Sequence, residues 1–244
     1  MTDRALFLER TSEALGRTIT GRASFVPDQA THLALDRGIV EIATAKVLEE
    51  AQRRSKALFD ELASSASTTG WNVHRTVSPD QAAGILLDIC QSANVSTALY
   101  SNHPVFCRVP AIATLVSNGI AATLADTKVH RSRAELKAAE FSSDVGITGV
   151  EWAVAETGTI VLHARNRAPR LVSVAPERHI ALVELGQVLP SLEDLFLIER
   201  LEHMSGRLST SVNLVSGPSK TGDIGGKIVE GIHGPLEVHM ILIG

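Results

Sequence analysis

Between Ala43 and Leu62 apolar residues fall at Val47, Leu48, Ala51, Leu58, Phe59 and Leu62, while Glu49, Glu50, Arg53, Arg54 and Lys56 occupy the other positions. That spacing predicts one helix with a solvated charged face. Trp71 to Thr76 reads as a strand, and Ser78-Pro79-Asp80-Gln81 as a helix start, with a capping pair and proline in the first turn. This helix runs to about Ala93 and turns Ala82, Ile85, Leu86 and Ile89 inward, and Val95 to Tyr100 is the next strand. Pro104 to Ser117 reads as helical with Pro110 as a kink or a second start, Gly119 to Leu124 as a strand, and Ser132 with Glu135 as the cap of a helix to about Phe141.

Strands alternating with helices of this length imply parallel strands covered on both faces, because a parallel pair needs a crossover connection. After Gly158 the pattern changes. Thr159 to Ala164, Leu171 to Val174 and His179 to Val183 read as strands joined by short turns, followed by a helix from Ser191 to about Met204, a strand at Val212 to Val215 and a terminal strand. The expected architecture is a single α/β domain over residues 41–244, with a mostly parallel sheet and a mixed C-terminal part. Residues 1–40 are expected to form an N-terminal arm: Leu6, Leu8 and Leu15 allow a short helix over Thr2 to Gly16, and Arg17 to His32 lack periodicity.

The 244 residues are 44% hydrophobic, enough for a sizeable core. A formal net charge of −4, with no basic stripe interleaved with aromatics, argues against nucleic acid and for a small-molecule or protein partner. Two cysteines, Cys90 and Cys107, are too few for a four-cysteine zinc or iron–sulfur site within the chain and read as inert thiols. The N-terminal Met-Thr-Asp-Arg-Ala-Leu-Phe-Leu-Glu-Arg lacks a signal peptide's apolar centre, and no run approaches the roughly 18 apolar residues of a membrane span. A cytoplasmic protein without membrane insertion is expected.

Candidate chemistry concentrates in two stretches. From Asp144 to Leu162, small or polar groups interrupt an apolar segment at Thr148, Gly149, Glu151, Glu156, Thr157 and Gly158. Gly149 and Gly158 permit close backbone approach, and a helix opening near Thr148 would aim its unpaired N–H groups at a small ligand. The competing reading is a strand, a helical turn and a strand whose glycines serve geometry only. The loop Ser216 to Lys227 holds Gly217, Ser219, Lys220, Thr221, Gly222 and Asp223 and has the composition of an anion cradle, with a solvated loop as the alternative. Asp223 stands where a Walker A loop needs lysine, there is no G-x-G-x-x-G, and no nucleophile elbow G-x-S-x-G is present. His233 and His239 bracket Glu237, but the spacing matches no recognised ligand set, so no metal is assigned.

Four ordered segments carry a family resemblance: V-G-I-T-G-V-E-W-A-V-A-E-T-G-T-I-V-L, P-R-L-V-S-V-A-P-E-R-H-I-A-L-V, G-P-S-K-T-G-D-I and G-I-H-G-P-L-E-V-H-M-I-L. Together they resemble the lactate utilization protein C family, the LUD domain. The resemblance implies a fold like that of the NagB, ribose-5-phosphate isomerase and CoA-transferase group, and a part in oxidising L-lactate to pyruvate beside separate iron–sulfur proteins. The clusters would belong to those partners, leaving no cofactor in this chain. Where the family commonly has Arg-Thr-Ala-Asp-Ile-Glu, this chain has Lys220-Thr221-Gly222-Asp223-Ile224-Gly225, and Leu236 stands where arginine is usual. A lysine point charge in place of a guanidinium fork weakens bidentate carboxylate recognition.

The leading expectation is therefore a LUD-domain component that binds a small organic anion in one cleft lined by Thr148, Gly149, Thr157, Gly158, Gly217, Ser219, Lys220, Thr221 and Asp223. Two alternatives stay open. One is an acyl or CoA transferase with Glu156 as nucleophile, since Glu156-Thr157-Gly158 looks a little like the Glu-Asn-Gly motif of that class. The other is a binding or regulatory subunit without chemistry.

Overall fold

A computed structural model describes residues 36–130, 132–164, 169–222 and 229–244. The expected helix over Thr2 to Gly16 and most of the arm lie outside the described residues. The stripe predicted over Ala43 to Leu62 forms two helices, α1 (Arg37–Arg53) and α2 (Ser55–Thr69). They break at Arg54, where no proline or glycine marks the boundary. Their charged residues pair on the surface, as with Arg53 and Glu50 at 2.6 Å, while Leu58, Phe59, Leu62 and Ala66 of α2 are buried.

The alternating pattern of the first half is present nearly as read: β1 (Asn72–Thr76), α3 (Pro79–Ser92), β2 (Thr97–Ser101), α4 (Ala111–Ser117), β3 (Ala121–Ala125), α5 (Arg133–Ser142) and β4 (Val145–Gly149). Ser78 caps α3 by accepting the Gln81 N–H, and Ser132 caps α5 by accepting the Glu135 N–H. Gln81 does not return the bond to Ser78; its side chain accepts from the Thr76 hydroxyl instead. Pro104–Cys107 is a 3-10 turn, and Pro110 caps a separate α4, so the second start is real.

The second half supplies β5 (Trp152–Val154), β6 (Thr159–Ala164), β7 (Arg178–Glu184), β8 (Val188–Leu189), α6 (Leu192–Met204), β9 (Ser211–Val215), a two-residue ribbon β10 (Lys220–Thr221) with β11 (Val229–Glu230), and β12 (Glu237–Ile243). The expected strand at Leu171 to Val174 is instead a 3-10 turn, Arg170–Ser173, begun by Pro169. Its Val172 carbonyl packs directly on Gly146, where an added Cβ would lie 1.8 Å from the oxygen.

The principal sheet has six strands in the order β1-β12-β7-β4-β2-β3, every pair parallel. The mixed part is a sheet of its own, β8-β5-β6-β9, with β5 parallel to β8 and the other pairs antiparallel. Strands β7 and β12, from the second half, complete the parallel sheet. Alternation along them divides the core into two layers. Ile180, Leu182, Ile241 and Ile243 face α3 and α4, whereas Ala181, Val183, Val238, Met240 and Leu242 face α2 and the mixed sheet. The fold is thus an α/β domain with a mostly parallel central sheet whose strand ends all point one way.

Candidate functional site

At the C-terminal ends of β2 and β4, the edge where open parallel sheets place their ligands, lies a cavity of about 790 Å³. Ser101 closes β2, Thr148 and Gly149 close β4, and the mixed sheet contributes Leu162, His163 and Asn213. Ser101, Thr148 and His163 form its buried inner end, whereas Asn102, Pro104, Cys107 and Arg170 stand exposed at its rim. The volume falls within the usual range of small-molecule pockets.

Local structure fixes these walls. No helix opens near Thr148: β4 continues through Gly149, with Thr148 opposite Ala181 and Gly149 opposite Leu182, and the chain then turns directly into β5. The expected ring of helix N–H groups is therefore replaced by side chains. Close approach at Gly149 is to the His103 imidazole, since an added Cβ would lie 2.0 Å from Nδ1. His103 Nδ1 also accepts the Val105 N–H at 3.2 Å, which starts the Pro104–Cys107 turn over the cavity.

Polar groups of the inner end are partly engaged. The Thr148 hydroxyl and His179 Nε2 lie 2.9 Å apart, and His163 Nε2 lies 2.7 Å from Glu199 Oε1 on α6. Glu151 accepts the His163 backbone N–H at 3.2 Å. Ser101 Oγ and Asn213 Nδ2 are buried without a partner among the described residues. Each such group costs about 1–3 kcal/mol while unsatisfied.

Of the residues expected in one cleft, only Thr148 and Gly149 line this cavity. Glu156, Thr157 and Gly158 form the far tip of the β5–β6 hairpin, three residue pairs from Glu151. Among the described residues Thr148 and Gly149 are therefore separated from Glu156, Thr157 and Gly158, because the hairpin is an extended ribbon whose tip packs on α2 and α6. Glu156 accepts the Leu192 N–H at the start of α6 at 3.3 Å, the Thr157 and Thr159 hydroxyls are hydrogen-bonded, and Thr159 joins Ser216 at 2.6 Å. Gly217 touches the Thr69 carbonyl, with an added Cβ 2.2 Å from it. Ser219 accepts the His233 N–H, exposed Lys220 faces Glu230 at 3.7 Å, and Thr221 pairs with Val229. Asp223 lies outside the described residues.

The family model described as the LUD domain matches residues 59–243. The chain belongs to the LUD domain family. A Lactate utilization protein C of Halalkalibacterium halodurans is 35% identical over 102 residues, 41% of this chain and 44% of that protein. One of Geobacillus kaustophilus is 31% identical over 159 residues, 60% of this chain and 65% of that protein. The chain thus spans less than two thirds of these relatives' lengths. A crystal structure of a DUF162 family protein from Deinococcus radiodurans matches with a TM-score of 0.51 at 20% identity, covering 86% of this chain and 99% of that one, which supports the fold.

A second polar group of this LUD domain sits at the opposite, N-terminal edge of its parallel sheet. His74 Nε2 and His239 Nδ1 are 3.1 Å apart, His239 Nε2 is 3.0 Å from Glu237 Oε1, and Arg178 donates to Glu237 at 2.8 Å. Among the described residues no three His, Cys, Asp or Glu side chains are arranged to hold a metal ion, and no helix is long and apolar enough to cross a membrane.

Burial, reinforced by the charge of His239, pushes His179 from its ordinary 6.5 down to about 3. His74 and His239 are lowered as well, chiefly by burial. The unfolded chain then binds more protons than the folded one below the ordinary histidine value, so stability is full above it and falls as pH drops. Urea unfolding should show a plateau near neutral pH and, from His179, a loss of roughly 1.4 kcal/mol per pH unit on the acid side. His179→Gln should make that slope shallower; an unchanged slope would remove His179 from the account.

Proposed function

We propose that this chain is a cytoplasmic LUD-domain component of an organic-acid utilization system, with L-lactate as the acid and pyruvate as its oxidised form. It binds the acid's carboxylate in the cavity at the C-terminal edge of the parallel sheet. The supporting observation is the pair of unsatisfied donors, Ser101 Oγ and Asn213 Nδ2, on residues that line one cavity. The names of the curated relatives support lactate as the acid. A three-carbon acid fills only the inner end, and the remaining volume stays open towards the exposed rim.

Oxidation of a hydroxy acid to a keto acid releases two electrons, and this chain's two cysteines, Cys90 and Cys107, are free thiols and so already reduced, offering them no destination. The electrons pass to separate iron–sulfur proteins, and this chain supplies the acid. No observation favours the transferase, because Glu156 lies at the hairpin tip and its carboxylate faces the start of α6.

Calorimetric titration of the chain with L-lactate, pyruvate and an acyl-CoA tests the reading. Both acids are expected to bind, and neither Lys220→Ala nor Glu156→Gln should weaken them by more than about twofold, the scale of an exposed charge at a distance. Loss of binding in Lys220→Ala would move the site to the β10–β11 ribbon. A glutamyl thioester mapped to Glu156 by mass spectrometry would replace the proposal with the transferase.

A further inference from the structure

Thr148 joins the cavity to a buried imidazole that carboxylate binding alone leaves without a role. Alternation along β4 and β7 turns Thr148 and His179 to the face that meets the mixed sheet, opposite Ile147 and Ile180, and the Thr148 hydroxyl lies 2.9 Å from His179 Nε2. Thr148 is 4% exposed and lines the cavity, whereas His179 is fully buried behind it. The other ring nitrogen, Nδ1, is buried with no partner among the described residues. Burial keeps this imidazole neutral, with its pKa pushed down to about 3, so one proton must sit on one of the two nitrogens. Its place decides what Thr148 can do. On Nδ1 it would leave a buried N–H unpaired and make Nε2 an acceptor that uses up the threonine proton. On Nε2 it leaves only a lone pair unpaired, and in folded proteins a buried N–H is orphaned more rarely than an acceptor. Trp71, whose ring lies 6.1 Å from that of His179 between centroids, has a buried Nε1–H that also lacks a partner among the described residues and can only donate. A lone pair at Nδ1 is the state complementary to such a neighbour.

We infer that His179 donates from Nε2 to Thr148 and so frees the threonine O–H to hold the 2-oxygen of a short 2-hydroxy or 2-keto acid; this rests on the carboxylate-binding reading above. Ser101 stands beside that hydroxyl. Tyr100 pairs with Ile147 one residue earlier, so Ser101 and Thr148 end neighbouring strands, which run about 4.8 Å apart. An acid whose carboxylate lies against Ser101 and Asn213 brings the oxygen on its next carbon within reach of Thr148. His179 is a positioning residue: it does not meet the ligand and acts by occupying the hydroxyl's lone pair. A hydroxyl donor serves an alcohol oxygen and a carbonyl oxygen alike, so a 2-hydroxy acid and its keto product are both held. An acid with only hydrogen on that carbon leaves the Thr148 proton unpaired.

The test is calorimetric titration of the full chain with L-lactate, pyruvate and propionate, acids of the same chain length of which only the first two carry a 2-oxygen. L-Lactate and pyruvate should bind about tenfold more tightly than propionate, the scale of one hydrogen bond whose donor would otherwise stay unpaired. Thr148→Val should bring that ratio to near one while propionate still binds, and Thr148→Ser, which keeps the hydroxyl, should preserve it. Heteronuclear NMR of labelled histidines in the wild-type chain gives a reading that needs no variant to fold: His179 should carry its proton on Nε2. Equal affinity for the three acids, or a proton on His179 Nδ1, overturns the inference and leaves the carboxylate site standing. A ratio that survives Thr148→Val, or that Thr148→Ser also abolishes, overturns the assignment to the Thr148 hydroxyl. Failure of all three acids to bind overturns both readings.

Discussion

Replacing Gly158 by alanine is expected to destabilise the protein by about 2–5 kcal/mol in urea unfolding, through left-handed strain of roughly 1–2 kcal/mol together with overpacking. Gly158 has φ +64 at the tip of the β5–β6 hairpin, and an added Cβ would lie 2.5 Å from Ala66 N and 2.6 Å from Ala66 Cα. Both are backbone atoms of α2, so no side-chain rotation relieves the overlap. Moving the hairpin away would break the hydrogen bond from the Ser65 hydroxyl to the Ala155 carbonyl. It would also loosen the layer in which Leu62 and Ala66 pack with Val154 and Ile160. Gly84 provides the contrast. It lies inside α3 with nothing within 4 Å of an added Cβ, so Gly84→Ala should stabilise by roughly 0.5–1 kcal/mol. If the two substitutions shift the unfolding midpoint in the same direction by similar amounts, the close-contact account of Gly158 is wrong.

That glycine also shows how far the sequence could be read. The pattern at Gly149 and Gly158 signals that something comes close, but in the structure that something is the chain itself, the His103 ring in one case and the α2 backbone in the other. A local pattern carries the need for space without the identity of what fills it. The strands of the second half tell a similar story. Ile180 to Val183 and Met240 to Ile243 are continuous apolar runs, each residue buried, which is the mark of a strand covered on both faces. That signal agrees with the parallel sheet they complete, but the short turns around them read as a mixed part. The capping pairs Ser78–Gln81 and Ser132–Glu135 were readable because a cap is decided within four residues. The cavity was not: Ser101, Thr148, His163 and Asn213 lie on four different elements, and no spacing along the chain records that β6 and β9 of the mixed sheet meet the ends of β2 and β4.

Because Ser101 and Asn213 come from different sheets, their shared condition can be tested separately from the stability of either. Removing a hydrogen-bond donor normally destabilises a fold by leaving its acceptor unpaired, but Ser101 Oγ and Asn213 Nδ2 have no partner to strand among the described residues. Ser101→Ala should therefore leave stability within about 1 kcal/mol of wild type, since the desolvation cost of the hydroxyl disappears together with the group. Asn213→Ala removes more volume from a half-buried position, together with the Oδ1 that accepts from the Ser211 hydroxyl at 3.5 Å, and should cost about 1 kcal/mol, a typical single-site effect. Binding should respond differently. If both donors serve the ligand's oxygens, each substitution removes a hydrogen bond to a charged group worth roughly 1.5–3 kcal/mol, which is about a 10- to 150-fold loss of affinity for L-lactate. The double variant should lose less than the product of the single effects, because two donors on one carboxylate are coupled. Calorimetric titration of the three variants, beside their urea unfolding, reads both quantities. Lowered stability with unchanged affinity would make these two side chains structural and leave the cavity's carboxylate to be held elsewhere. Preserved stability with lost affinity, in both single variants, would place the acid between the end of β2 and the edge of the mixed sheet.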